Sequence, residues 1–313
     1  MKTKIAILGF GKFGRAIANI LEKKREHCTV RGWDIVETGD SRQVFSIADA
    51  IADAKVLFIA VPSLHVKQSI DSLESVPAEC AIITCTKGFD GDTKRLPVEI
   101  LEERFFRHAV GVMSGPTLSA ELEADLPTRA TLASKNCSRL KGIADLFSGT
   151  SLGLELSDDV IGVSLFGILK NVYALSLGCS DGLEMGSNFR SCMALQGIKE
   201  MKALVKEYGG REETAFTCAG IADFLATGFS PHSRNYSYGF HHARNEVHDQ
   251  QIAEGVENIA IVVSRLTSKQ NFPLLNAIEK IFLHKNSSNG SGYNVRYSCP
   301  MWNRFCREHA ISR

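Results

Sequence analysis

The chain has almost no surplus of charge: 36 lysines and arginines face 35 aspartates and glutamates, a net charge of +1. A balance so close to neutral gives no reason to expect nucleic acid or an anionic membrane as a partner, since both select basic surfaces. Paired cysteines are missing as well. Nine cysteines are scattered from Cys28 to Cys306, an odd number with no C-x-x-C pair. That pattern argues against a disulfide framework and a zinc site, so no metal is expected, and it fits a reducing, cytoplasmic setting. The opening "MKTKIAILGF" carries too short an apolar run for a signal peptide, with Gly11 and Lys12 following at once. No internal repeat and no low-complexity tract is visible.

One apolar run is long enough to demand an explanation. Residues 160–180 read "VIGVSLFGILKNVYALSLGCS", and Lys170 is the only formal charge in them. The length would suffice for a membrane span. Lys170 and Asn171 at its centre, with Gly162 and Gly167, point instead to the buried helix of a soluble domain, because a central lysine is costly in lipid. An ammonium in such surroundings deprotonates or finds partners. Lys170 is therefore a candidate for chemistry.

The 313 residues, 44% hydrophobic and 23% charged, have the composition of a globular protein long enough for two domains. The first half alternates two periods. Short β-rich runs occupy 4–10, 29–33, 55–61, 80–86, 109–114 and 128–134, with helical patterns between most of them, such as Arg15 to Lys24 and Arg95 to Arg104. Strands apolar on both faces and separated by helices predict an α/β fold: an N-terminal doubly wound, Rossmann-type, mostly parallel sheet. Its right-handed crossovers place a ligand at the carboxyl ends of the strands. After about residue 155 the strands stop, and helical patterns follow at roughly 160–178, 190–208, 213–226, 251–267 and 273–284. The expected division is a dinucleotide-binding domain, 1–155, and an all-helical substrate-binding and catalytic domain, 156–313, with a cleft between them. The tail 286–313, rich at first in Gly, Ser and Asn, receives no function.

"GFGKFG" follows the first strand and opens the first helix. Gly9 allows the tight turn, Gly11 lets the backbone approach a pyrophosphate, and Gly14 lets helix and strand pack closely. The helix N-terminus offers N–H groups and a positive dipole end to phosphates. Asp34 lies 20 residues after Gly14, at the end of the second strand, where a carboxylate binds the adenosine ribose and repels a 2′-phosphate. Ile35 and Val36 supply no arginine to receive one, so NAD is expected over NADP. Lys87, in "CTKG" after the fourth strand, would point toward the nicotinamide end.

Three later segments look chemically loaded: "LKN" at 169–171, "AGIADFLATGFSPHSRN" at 219–235 and "AEGVEN" at 253–258. Asp223 and Thr227 are four residues apart, on one helix face. Arg234 and Asn235 follow the "GFSP" break and are expected to present donors from a loop.

Together with "AVPS" (60–63), "SGP" (114–116), "DDVIGVSLFGILKN" and "GCSDGLEMGSN" (178–188), these segments resemble NAD-dependent glycerol-3-phosphate dehydrogenase, from the first strand to about residue 285. The resemblance implies interconversion of dihydroxyacetone phosphate and sn-glycerol 3-phosphate for phospholipid synthesis, with NAD as cofactor and NADP as the other option. It puts the catalytic lysine on Lys170, a second active-site lysine on Lys87 and the active-site aspartate on Asp223, which would orient or partly neutralise Lys170. Burial is expected to lower the pKa of Lys170 toward an acid/base role. Substrate contacts fall on Thr227, Arg234, Asn235, Asn171, Ser114 and Gly115. Cofactor contacts fall on Gly9, Phe10, Gly11, Lys12, Phe13, Gly14, Asp34, Pro62, Lys87, Arg234 and Glu254. The resemblance further implies a small-molecule substrate, no integral membrane association and a homodimer. The alternatives are a related two-domain dehydrogenase acting on another phosphorylated or 3-hydroxy-acid substrate, and a non-catalytic NAD-binding paralogue. Two departures stand out: Phe13 replaces the family's tryptophan, and "IVETGDSRQVFS" after the second strand is short.

Overall fold

The computed structural model describes residues 2–23, 26–246, 252–266 and 271–283; the tail 286–313 lies outside them. The chain divides into two compact units. The first comprises Met1–Gly167 with Gly209–Asp223, and the second comprises Ile168–Tyr208 with the residues from Phe224 onward.

The first unit is built on seven strands: β1 (Thr3–Leu8), β2 (Cys28–Trp33), β3 (Val56–Ile59), β4 (Ala81–Thr84), β5 (Val110–Ser114), β6 (Thr128–Ala133) and β7 (Leu152–Ser157). They lie in the order β2-β1-β3-β4-β5-β6-β7. All neighbouring pairs are parallel except β5 with β6, so β1 to β5 end on one edge. Every residue of β3, β4 and β5 is buried, as strands covered on both faces must be. The helix Lys12–Glu22 buries Ala16, Ile17, Ile20 and Leu21 into the same core. Phe58 and Phe147 meet edge to face there, their ring centroids 6.2 Å apart.

The sequence reading misses β7. "LGLELS" sits at the open edge of the sheet beside β6 and leaves Leu156 41% exposed, so it lacks the continuous apolar character of the inner strands. A second correction concerns 213–226, read as one helix. The chain there forms a 3₁₀ turn (Glu212–Phe216), a π-type turn (Cys218–Ala222) kinked at Gly220, and the helix Asp223–Gly228. Gly220 has ψ −115°, and a Cβ on it would fall 2.2 Å from the Ala215 carbonyl oxygen, so helix cannot run through it.

Side chains from β6, β7 and the turn after β7 pin this segment to the first unit. The Asp159 carboxylate accepts the Arg211 N–H at 2.9 Å and the Thr214 hydroxyl. Glu155 Oε1 accepts the Cys218 N–H and the Thr131 hydroxyl, each at 2.7 Å. The Ala219 N–H donates to Thr131 Oγ1 at 3.0 Å.

The second unit is helical. The helix Val160–Gly182, which belongs to this unit from Ile168 onward, is long and apolar enough to cross a membrane, yet its most apolar stretch is 94% buried inside the protein. It crosses the helix Arg234–Ala243 through glycines: a Cβ on Gly178 would lie 2.0 Å from the Tyr236 carbonyl oxygen, and one on Gly239 would lie 2.1 Å from that of Leu175. Backbones this close need residues without a Cβ. The helices Gly186–Glu207, Glu254–Ser264 and Pro273–Leu283 complete the described part.

Candidate active site

In the first unit the candidate residues gather at the carboxyl ends of β1 to β5. Gly9 follows β1 with φ +89°, and a Cβ there would stand 2.5 Å from the Ala60 carbonyl oxygen, just after β3. β1 has β2 on one side and β3 on the other, which makes this the point where the winding of the sheet reverses. A Cβ on Gly14 would meet the Gly9 carbonyl oxygen at 2.1 Å, whereas one on Gly11 would meet nothing within 4 Å among the described residues. Gly9 and Gly14 are therefore needed by the fold, and Gly11 leaves an open face beside the backbone. The helix that starts at Lys12 has no side-chain cap and no acid in its first turn. Its amides and positive dipole end suit the pyrophosphate of a dinucleotide, so the residues fit that class of cofactor.

Phe10 offers only its backbone, because its ring is fully buried under Gly32. Phe13 packs partly buried against the core, and Lys12 is exposed. Asp34 follows β2 directly, its Oδ1 accepting the Val36 N–H at 3.1 Å. Pro62 is exposed after β3.

Lys87, after β4, donates to the Asp223 carboxylate and to the Gly115 carbonyl oxygen, both at 2.9 Å. Only 2% of the Asp223 side chain is exposed, so this ion pair is largely desolvated. Ser114, at the end of β5, is buried, and among the described residues its Oγ has no hydrogen-bond partner.

In the second unit, Lys170 is 6% exposed and donates to the Thr227 hydroxyl at 2.7 Å. The Asn171 carbonyl oxygen lies so close to Gly255 that a Cβ there would approach to 2.4 Å. The Gly255 N–H in turn donates to Asn235 Oδ1 at 2.8 Å. One cluster thus joins Lys170, Asn171, Thr227 and Asn235, with Glu254 next to Gly255 at the start of its helix. Arg234 and Asn235 are not on a loop. They open the helix Arg234–Ala243, capped by Ser233, whose hydroxyl accepts the Tyr236 N–H at 3.4 Å. The serine cap is the signal that the sequence reading passed over. Arg234 is exposed at that helix start and Asn235 is buried.

Two hydrogen bonds fix partners for these groups, one from Lys87 to Asp223 and one from Lys170 to Thr227. Glu155 and Thr131, which hold the turn leading into Asp223, were not read as site residues. Their partners are 63 and 88 residues away, and nothing in their own neighbourhood marks them.

Two family models match the chain. The one for the N-terminus of NAD-dependent glycerol-3-phosphate dehydrogenase matches residues 40–140, and the one for its C-terminus matches residues 159–290. A glycerol-3-phosphate dehydrogenase (NAD(P)+) of Acaryochloris marina is 33% identical over 280 residues, 87% of either chain. That of Trichormus variabilis is 31% identical over 278 residues, 86% of this chain and 88% of the relative. The crystal structure of glycerol-3-phosphate dehydrogenase from Coxiella burnetii superposes with a TM-score of 0.81 at 29% identity, covering 90% of this chain and 95% of that one.

Proposed function

Because the chain belongs to the NAD-dependent glycerol-3-phosphate dehydrogenase family, we propose that it interconverts dihydroxyacetone phosphate and sn-glycerol 3-phosphate with NAD(P), supplying glycerol 3-phosphate for phospholipid synthesis. The observation that carries this reading is Lys170, a buried ammonium hydrogen-bonded to Thr227 within the stretch matched by the family. When bound, the nicotinamide cofactor supplies or takes the hydride at the substrate carbon. The chain's own residues do the rest. Lys170 gives a proton to the carbonyl oxygen in reduction and takes it back from the hydroxyl in oxidation. Thr227 orients the lysine.

Lys87, held by Asp223 and the Gly115 carbonyl, binds or polarises the substrate oxygen, with Ser114 nearby as a hydroxyl donor. Arg234 grips the phosphate with its planar fork of donors, helped by the N-terminal amides of its helix and by Asn171 and Asn235. Gly9 to Gly14, Asp34 and Pro62 hold the dinucleotide, with contributions from Arg234 and Glu254. The division of labour is a dinucleotide-binding domain, 1–155, and a substrate-binding and catalytic domain, 156–313. The enzyme works as a cytoplasmic homodimer.

The test is NADH oxidation with dihydroxyacetone phosphate, run beside small keto acids and other sugar phosphates. Lys170→Ala should lower kcat by about 10²- to 10⁴-fold, the usual contribution of general acid/base catalysis, with NADH affinity unchanged. Near-parental turnover in that variant, or preference for a keto acid, would overturn the reading.

A further inference from the structure

The short segment after β2 does not leave the sheet. It turns back and bridges it: the Gly32 N–H donates to the Arg42 carbonyl at 3.0 Å, and the Val44 N–H donates to the Gly32 carbonyl at 2.9 Å. Gln43 ties the loop internally, accepting from the Thr38 N–H at 2.7 Å and donating to the Val36 carbonyl at 2.9 Å. The return brings Arg42 to the end of β2, where Asp34 stands.

The Arg42 side chain is 14% exposed, and each of its three nitrogens donates to a carboxylate. Its Nε donates to Asp40 Oδ1 at 2.8 Å and its Nη2 to Asp40 Oδ2 at 2.5 Å, a bidentate fork. Its Nη1 donates to Glu22 Oε2 at 3.1 Å. Its guanidinium carbon lies 5.5 Å from the centroid of the Phe10 ring, inside the glycine-rich turn. Arg42 also holds the Asp40 carboxyl below its ordinary range, with a further contribution from Arg15.

In this fold the end of the second strand meets the adenosine ribose. A carboxylate there accepts from the 2′-hydroxyl, and an arginine there receives a 2′-phosphate. Both residue types are present here, but the arginine's fork is occupied. Asp34, Asp40 and Glu22 also outnumber Arg15 and Arg42, which is unfavourable for a phosphate carrying about two negative charges.

We propose that Asp40 sets the choice of cofactor: by holding Arg42 bidentately it withholds the guanidinium from a 2′-phosphate, so the protein selects NADH over NADPH. This rests on the dinucleotide-binding reading above and adds the residue that decides which dinucleotide is taken. Without the Asp40 carboxylate, acids and arginines at this edge balance at two each, and the fork opens beside the ribose position.

Fluorescence titration of the full-length protein with NADH and with NADPH reads the inference without turnover. The parental protein should bind NADH at least tenfold more tightly. Asp40→Asn should lower the ratio of the two dissociation constants at least tenfold by strengthening NADPH binding, and adding Arg42→Ala should restore the parental ratio. Glu22→Gln leaves the Asp40 fork in place, so it should move the ratio the same way by a smaller factor and stands as the second probe if Asp40→Asn disturbs the loop. An unchanged ratio in both Asp40→Asn and Glu22→Gln, or a gain that survives Arg42→Ala, would overturn the inference. So would Arg42→Ala alone weakening NADPH binding tenfold, since Arg42 would then already serve the phosphate. If neither dinucleotide binds the parental protein, the underlying dinucleotide reading fails, a result distinct from binding with an unmoved ratio.

Discussion

Glu200 lies 2% exposed in the helix Gly186–Glu207, where four donors converge on its carboxylate. The Leu274 N–H (2.8 Å) and the Gln196 amide (2.9 Å) donate to Oε1, and the Leu275 N–H and the Tyr173 hydroxyl (both 2.9 Å) donate to Oε2. Leu274 and Leu275 are in the first turn of the helix Pro273–Leu283, so one buried carboxyl group caps the last described helix and satisfies the fully buried tyrosine. Glu200→Ala leaves two backbone amides and a phenol without an acceptor. At about 1–3 kcal/mol for each orphaned buried group, less what entering water recovers, the loss is about 3–5 kcal/mol. Thermal melting should then fall by on the order of 10 °C. Hydrogen exchange of the 271–283 peptide should accelerate. Glu200→Gln keeps one acceptor and should cost about 1–2 kcal/mol.

The pH dependence has a definite sign. Burial pushes the Glu200 carboxyl above its ordinary 4.5 despite the donors that pull it down. The folded state therefore binds this proton more readily than the unfolded chain. The resulting stability is complete below the unfolded pKa and is lost as pH rises through the folded one. Glu200→Gln should remove that slope just above pH 4.5. A Glu200→Ala protein that melts within about 2 °C of the parent, well under the shift expected for several kcal/mol, with unchanged exchange in 271–283, would refute the reasoning.

Other perturbations separate folding from chemistry. Lys87→Met removes the ion pair of a buried carboxylate and should cost about 3–5 kcal/mol as well as most turnover, read by melting and by kcat. Gly14→Ala should fail to fold stably, because its Cβ would stand 2.1 Å from a carbonyl oxygen, while Gly11→Ala should melt normally and lose NADH affinity at least tenfold in titration. Glu155→Ala frees the turn before Asp223 and should lower kcat about tenfold, the equivalent of about 1.4 kcal/mol, without changing NADH affinity. Glu155→Gln keeps an acceptor for the Cys218 N–H and should recover most of that loss.

Much of this protein is legible along the chain because its strongest signals are local. Short β-rich runs identify six of the seven strands, and the spacing of Gly9, Gly11 and Gly14 identifies the turn. Lys170 stands out because a lone charge in an apolar helix is costly wherever that helix lies. What escapes are features set by neighbours distant in sequence. β7 is a strand because β6 offers it an edge. The helical pattern of 213–226 breaks because Gly220 packs on the Ala215 carbonyl while Glu155, Thr131 and Asp159 hold the backbone from outside.

The same division holds for the candidate site. Residue types and local spacing draw attention to Lys170 and to the segments holding Lys87, Asp223, Thr227, Arg234 and Asn235, and the family resemblance of those short motifs nominates the six. Which groups pair was a matter for the tertiary structure. Lys87 reaches Asp223 across 136 residues, Lys170 reaches Thr227 across 57, and Arg42 reaches back 20 residues to Glu22 and over the Phe10 ring. A hydrogen bond depends on distance in space, and spacing along the chain reports that distance only within a turn or two of helix or strand.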